Sequence, residues 1–524
     1  MIALDDNDND NDDDDDDGND GNDDNDGNDG NDDNDGNDGN VNSMVRAVSE
    51  LYQSLPSNGK PTINEFTILA SIVASITTTT STSTTSDSKI IKVITLSTGT
   101  KCAGVSTIKD DSNIGAVLSD SHAEVISRRL LVRYLYECAI LMMSTSSSND
   151  QYQSYNNCMH FPLEYIHDST SSSKYLFRLK KSWQFHLVLS DNPCGDSSIV
   201  CNNNGTVSYT GAKLLAWQQE DEQTVGIVRA KAGRSDILAR NRTVSMSCSD
   251  KICKWSCLGL QGSLLSLFIE PIHLDSVIVG LDPTISSSKS QKAALRRGLC
   301  NRIDSALNPN PISIHIVHPN LLASLANIGK WNAVKNTDNN DNNNTNNDDN
   351  NTKSDRKNKK KNRVSPSGIS INWMRNIDLP SNQKATNINT SKRVKACQGG
   401  TIEVTLSITG TLQGAIKRDI GDSDLCSRIC KKELSQLFLQ LLTITKDIDL
   451  IKSYITNDSD DITHDNVEKH SYTWWKRKSL PYNQTKKIFL ETSPFNEWIK
   501  KDITMGSFSI TPSIENSNVS SKKI

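Results

Sequence analysis

The chain has 524 residues, a formal net charge of −6 and 12 cysteines. That is too few cysteines for a disulfide scaffold. No apolar run reaches the ~18 residues a membrane span needs, and the acidic start does not resemble a secretory leader, so the expected setting is cytoplasmic, nuclear or both.

Residues 1–43 read as a disordered acidic tail of Asp, Asn and Gly, because they have nothing to bury; Met44 just beyond is a second candidate start. The first 40 residues hold 19 aspartates and no Lys or Arg, and setting those 19 carboxylates aside turns the charge of −6 into +13 for residues 41–524. The body is therefore basic and suits a polyanionic partner.

Residues 45–75 read as helical. Val45, Val48, Leu51 and Tyr52 recur at helical spacing, and Phe66, Leu69, Ile72 and Val73 follow a Gly59-Lys60-Pro61 turn. Thr77–Ser88 is a Ser/Thr loop. Ile90–Leu96 is a strand closed by Thr98-Gly99-Thr100-Lys101. From Ala123 to Met143 the apolar residues Ile126, Leu130, Tyr134 and Cys138 mark a long buried helix. Ser144–Tyr155 is a polar insertion. Phe185–Leu189 is a strand running into Asp191-Asn192-Pro193-Cys194.

Ser263–Phe268 reads as helical and Ser276–Gly280 as a strand. Residues 336–366 read as a disordered insertion, an Asn/Asp tract followed by a basic run at 356–363. Thr401–Ile408 is a strand, and helices follow at Ser427–Leu442 and Tyr472–Ile488. Residues 44–513 then form one domain, followed by a disordered tail at 514–524. Helices mixed with strands imply an α/β or α+β layer fold.

The chemistry concentrates at His122-Ala123-Glu124 and Pro193-Cys194. Zinc-dependent nucleobase deaminases use His-x-Glu followed by Pro-Cys-x-x-Cys, with the glutamate outside the ligand set and moving protons. A catalytic zinc site takes thiolate and imidazole ligands and keeps one position for water. Residues i and i+2 do not share a helix face, so His122 must stand at the non-helical entry and Glu124 inside the helix. A helix beginning at Cys194 would favour its thiolate.

The expected second cysteine is replaced by Ser197. Candidates for the third ligand are Cys201, Cys248, Cys253 and Cys257. Cys201 lies in a polar Asn run. Cys248 sits among polar residues with Lys251 to balance a thiolate, and Cys253 and Cys257 flank Trp255 like packed thiols.

Asp120-Ser-His-Ala-Glu-Val-Ile-Ser-Arg-Arg129, Pro193-Cys-Gly-Asp196 and Ser247-Cys-Ser-Asp-Lys-Ile252, with Trp255 and Gln261-Gly-Ser263, resemble the adenosine deaminases acting on RNA. The resemblance spans residues 45–513 and implies a cytidine-deaminase-like mixed sheet flanked by helices. It implies the zinc ligands His122, Cys194 and Cys248, with Glu124 as the catalytic proton shuttle. Leu55-Pro-Ser-Asn-Gly-Lys-Pro61, Ser197-Ser198 after Pro-Cys-Gly-Asp, and Lys231-Ala-Gly-Arg234 are similar to the tRNA-specific branch. The substrate that branch implies is tRNA-Ala, at the adenosine 3′ of the anticodon (position 37). Thr100 and Lys101 match a substrate-binding turn at the pocket mouth.

The resemblance also implies an enclosed inositol hexakisphosphate, held by a helical C-terminal extension. The matching positions are Arg128, Arg129, Lys251, Lys254, Trp255, Ser263 and Lys431. A second set follows near the C-terminus: Tyr472, Lys476, Tyr482, Lys486, Trp498 and Lys501. Lys254 stands where an Arg is usual, and Pro481 marks a kink or helix start within the last helix.

Overall fold

The computed structural model describes residues 39–78, 88–144, 149–166, 173–200, 211–215, 218, 221, 223–233, 238, 241–282, 285, 287–308, 311–318, 328, 364–380, 394–415, 425–445, 448, 450, 471–506 and 508–509. The acidic tail before residue 39, Cys201, the tracts at 336–363 and residues 514–524 lie outside the described residues.

Helix α1 (Gly39–Ser54) begins inside the stretch assigned above to the acidic tail. Val41 is only 4% exposed and starts a buried stripe that Met44, Val45, Val48 and Tyr52 continue. The next segment corrects the helical reading of residues 66–75, because Leu69–Thr78 is strand β1, paired on both edges. Ile72, Ala74 and Ile76 face one core while Leu69 and Val73 face the other. A strand buried on both faces has no polar alternation, and its apolar run resembles a helix segment.

Strand β2 (Ser88–Thr98) runs antiparallel to β1. Helix α2 (Ala123–Ser144) crosses the sheet and is buried nearly all round. Even Arg133 is buried; its Nε lies 2.7 Å from Glu137 and its Nη1 donates to the Arg428 carbonyl at 2.9 Å. The polar insertion after α2 contains helix α3 (Asn149–Asn157), pinned by the fully buried Tyr155. Strand β3 (Trp183–Leu189), helix α4 (Cys248–Leu258), strand β4 (Ser276–Gly280), helix α5 (Ser288–Arg296) and strand β5 (Ser313–Val317) follow.

Strands β6 (Ile369–Arg375), β7 (Lys395–Cys397) and β8 (Gly400–Leu406) extend the sheet. Its order is β5-β4-β3-β1-β2-β6-β8-β7, and the short pair Thr411–Leu412 on β8 makes nine strands. The pairs β5–β4 and β4–β3 are parallel, whereas β3–β1, β1–β2, β2–β6 and β6–β8 are antiparallel. This is the mixed sheet flanked by helices that the motifs imply: α2 covers one face and α1 the other.

The C-terminal helices complete the α2 side. Helix α6 (Lys431–Thr445) begins four residues later than expected and packs on α2. Its Phe438 meets Phe268 and Trp475 edge-on. The single helix expected over Tyr472–Ile488 is two, α7 (Tyr472–Lys478) and α8 (Leu480–Glu491), with the break at Ser479. Pro481 sits in the first turn of α8, where its missing N–H costs no hydrogen bond. No helix among the described residues is long and apolar enough to cross a membrane.

Candidate active site

Three separate elements converge on one point. His122 is the last residue before α2, and its carbonyl accepts the N–H groups of Val125 and Ile126. Cys194 lies in the loop leaving β3, and Cys248 is the first residue of α4. His122 Nδ1 lies 3.8 Å from Cys194 Sγ and 3.7 Å from Cys248 Sγ. The ligand atoms of all three lie within 4.8 Å of one another, so they could hold a metal ion. One imidazole and two thiolates suit zinc with a position left for water. Cys253 and Cys257 are buried in a separate apolar cluster around Phe489 and Phe495, whereas Cys248 stands with His122 and Cys194; Cys102 and Asp120 form a second group with the same histidine.

Cys194 does not begin an α-helix; only the short turn Asp196–Ser198 follows it. It borrows the end of another. The Cys248 N–H at the start of α4 points at Cys194 Sγ at 3.4 Å, and Ser249 N donates to the Cys194 carbonyl. A helix N-terminus favours the thiolate, and the Cys194 thiol is drawn down by the shared hydrogen bond with Cys248, against the cost of burial. Gly195 makes this approach possible. Its φ is +105°, and a Cβ there would stand 2.3 Å from Ser247 Oγ. Ser197, in place of the expected cysteine, has its Oγ against Gly298; its N–H donates to Ser249 Oγ and its carbonyl accepts from Asn192.

Glu124 is 3% exposed, and its Oε2 is a buried oxygen with no hydrogen-bond partner. Leaving a buried acceptor unmatched costs about 1–3 kcal/mol; that cost points to a carboxylate reserved for a group that enters the site.

Asp120, which motif reading left without a role, anchors the approach to His122. Its Oδ1 accepts the His122 N–H at 3.0 Å. Its carboxylate also takes Lys231 Nζ at 2.9 Å, Ser245 Oγ at 2.6 Å and the Lys251 ammonium. Burial alone would raise its pKa, but Lys231 and Lys251 overcome this and hold it well below the ordinary carboxylate range. Asp120 and Lys231 sit inside motifs visible in the sequence, yet nothing in their spacing says that they pair.

The adenosine-deaminase (editase) domain profile matches residues 95–387 and 355–502. The chain belongs to that family. Among its relatives, it is 32% identical over 280 residues to the tRNA-specific adenosine deaminase 1 of Drosophila melanogaster, covering 50% of this chain and 59% of that protein. It is 33% identical over 239 residues to the Drosophila double-stranded RNA-specific editase Adar, covering 44% of this chain and 32% of the editase. It thus spans less than two thirds of either protein. The mouse tRNA-specific adenosine deaminase 1 aligns more fully, at 23% identity over 557 positions, 85% of this chain and 95% of that protein.

In this editase domain the turn Thr100-Lys101 lies beside the segment that carries His122. The Lys101 carbonyl accepts the Ser121 N–H, and the Gly99 carbonyl accepts the N–H of Ala123 at 3.1 Å. Gly99 has φ +142°, and a Cβ there would stand 2.0 Å from the Ser121 carbonyl oxygen, so the strand end can pack on the helix start only with glycine. Thr100 Oγ1 is buried without a hydrogen-bond partner.

On the other side of Asp120 the structure gathers cations. Arg128 lies over the Trp255 ring at 5.1 Å, Lys254 over Trp498 at 4.8 Å and Lys476 over Tyr472 at 5.3 Å. Arg129 donates to the Ile429 carbonyl and Lys431 Nζ to the Met505 carbonyl at 2.8 Å. Burial, then Lys501 and Lys476 beside it, push Lys431 down to about 7. Burial and the facing cations Lys486, Lys476, Arg128 and Lys501 lower Lys254 well below the usual ammonium range. Tyr482 faces Arg128 and Lys476. Ser263 is buried on the short helix Gly262–Leu265, which packs on α2, α7 and α8. Arg128 Nε has no hydrogen-bond partner. The residues of both sets named in the sequence thus lie around one region, where cations outnumber acids among the described residues and Asp120 is the carboxylate that Lys251 and Lys501 meet.

Proposed function

We propose that this protein hydrolytically deaminates adenosine to inosine in tRNA, and that its target is the adenosine 3′ of the anticodon of tRNA-Ala. The observation that carries this reading is the buried Glu124 carboxylate, its Oε2 without a hydrogen-bond partner, within electrostatic reach of Cys248 in the His122, Cys194 and Cys248 cluster. In this reading those three residues hold zinc, whose chemistry is to activate water at neutral pH. Glu124 would take the two protons that the water gives up in turn, handing the first to the ring nitrogen of the base and the second to the amino group that leaves as ammonia. Thr100 and Lys101 stand at the mouth for the ribose and phosphate. An anticodon-loop adenosine needs little unstacking before it enters such a site. The relatives that act on tRNA favour the tRNA substrate; the Drosophila editase makes duplex RNA the second reading.

We also propose that the cation cluster encloses inositol hexakisphosphate. Its fit rests on Arg128, Lys254 and Lys431, half-buried together with no acid paired to them among the described residues, since charges are withdrawn from water only when they are paired.

The test is inosine formation in tRNA-Ala and in long duplex RNA by the wild type and by Glu124→Gln. The wild type should modify tRNA-Ala in preference to duplex. Glu124→Gln should lose about 10²–10⁴-fold in rate, the usual worth of a general acid-base group, while keeping its metal. Full activity in that variant would remove Glu124 from the mechanism, and preference for duplex would reassign the substrate.

A further inference from the structure

Each proposed thiolate ligand is followed two residues later by an aspartate, in Cys194-Gly195-Asp196 and Cys248-Ser249-Asp250. Both carboxylates are buried, and neither belongs to the groups of donors around His122. Asp250 ties down the start of α4. Its Oδ2 accepts Ser247 Oγ at 2.6 Å and the Arg229 N–H at 3.0 Å, and Ser247 caps α4 by accepting the Asp250 N–H. Asp196 ties down the loop leaving β3, where its Oδ1 accepts the Gly226 N–H at 2.6 Å.

The other oxygen of each carboxylate goes to an arginine, and both arginines come from one short stretch of chain. Arg297 Nε donates to Asp196 Oδ2 at 3.1 Å, and its Nη2 donates to the carbonyls of Asp196 and Ile199 at 2.8 and 2.6 Å. Arg302 Nη1 donates to Asp250 Oδ1 at 2.8 Å, and its Nη2 to the Gly298 carbonyl at 2.7 Å. Here α5 passes into a π-helical turn over Arg297–Asn301, so the two arginines bracket that turn. In an α-helix, residues five apart point about 140° away from one another. A π turn, closed by a bond from i to i+5, swings them toward one side, and such turns are frequent at functional sites. Gly298 allows the close approach: a Cβ there would stand 2.2 Å from Ser197 Oγ. Gln291 adds a brace one turn earlier, its Nε2 donating to Asn192 Oδ1 at 2.8 Å.

Two buried ion pairs are a poor way to gain stability, because well-packed apolar side chains of similar volume do as well or better. What a guanidinium supplies is direction, since its donors form a rigid planar fork. We propose that Arg297 and Arg302 are positioning residues that act through Asp196 and Asp250 to fix the separation and aim of the Cys194 and Cys248 sulfurs. One turn of chain thus sets the thiolate half of the proposed metal centre. This rests on the reading that His122, Cys194 and Cys248 hold zinc.

The test uses the full chain and the variants Arg297→Lys and Arg302→Lys, which keep the charge and lose the fork. The control, Arg133→Gln with Glu137→Gln, removes a buried ion pair about three turns along α2 from His122. Zinc affinity is measured by competition with a chelator. The absorption spectrum of the cobalt(II)-substituted protein reports the symmetry and thiolate ligation of the site, with no RNA present. Both arginine variants should bind zinc about 10–100-fold more weakly, the usual effect of losing a group that orients a ligand, and their cobalt spectra should change. The control should melt at a lower temperature yet keep the wild-type affinity and spectrum. Arg297 is half-buried, so its variant decides the matter if Arg302→Lys fails to fold. Wild-type affinity and spectrum in either folded arginine variant would overturn the proposal, as would an equal loss in the control. If the wild type binds neither zinc nor cobalt, the metal reading fails and the positioning role with it. If the expected differences appear but no RNA yields inosine, the deaminase reading fails and the positioning role stands.

Discussion

The residue that most changes in meaning is Ser197. As part of a Pro-Cys-x-x-Cys pattern it marks a lost ligand, yet the structure seats it under Gly298 and brings Cys248 to the site from 54 residues beyond Cys194. Of Cys248, Cys253 and Cys257, Cys248 is the one that stands with His122 and Cys194, which makes a sharp expectation. Cys248→Ser should lose the metal and the activity, whereas Cys253→Ser, in an apolar cluster, should keep both; metal analysis of the purified variants decides. The approach to His122 depends on a buried carboxylate with two lysines. Removing one partner of such a group costs about 3–5 kcal/mol. Lys231→Met should therefore destabilise the protein by that order in denaturant unfolding, although Lys231 touches neither the metal ligands' side chains nor Glu124 through any hydrogen bond described.

The proposed metal ligands are held by the ends of elements. Strand β2 ends at Gly99 against the start of α2, β3 leads into the Cys194 loop, and α4 opens at that loop with its N–H groups on Cys194. Site geometry is therefore set by how element ends abut, and small changes there matter more than changes in mid-element. Gly195→Ala tests this. Its φ of +105° and the 2.3 Å approach to Ser247 Oγ leave no room for a methyl group. The variant should fold with its sheet intact but bind metal more weakly, measured by competition with a chelator and by far-UV circular dichroism. The pair α7 and α8 makes the related point. A break at Ser479 turns one expected helix into two, which brings Tyr472 and Lys476 from one and Tyr482 and Lys486 from the other to the same cations.

At the scale of the molecule, the cation cluster predicts a dependence on pH. Lys431 has a folded pKa of about 7, below its unfolded value of about 10.4. Between those values the unfolded chain binds more protons, so stability of the anion-free protein rises as pH rises from about 7 to about 10. A bound polyphosphate favours the ammonium form and removes that gain. Melting temperatures over this range should climb for protein stripped of polyphosphate and stay level or fall for protein that retains it. A climb in both would mean that no anion occupies the cluster.

The sequence alone determined the chemistry. The proposed residues His122, Glu124 and Cys194 stood out because metal and proton-transfer chemistry restricts residue type and local spacing, Cys248 came from the family resemblance, and the long helix α2 was legible from its periodicity. Strand β1 was not, because a central strand buried on both faces loses the alternation that would distinguish it from a helix. The pairing of Asp120 with Lys231, the helix end that Cys194 borrows, and the grip of α5 on the metal loop were decided only by tertiary structure. They join residues roughly 50 to 110 positions apart, and an interaction across folded space leaves no periodic trace along a single chain.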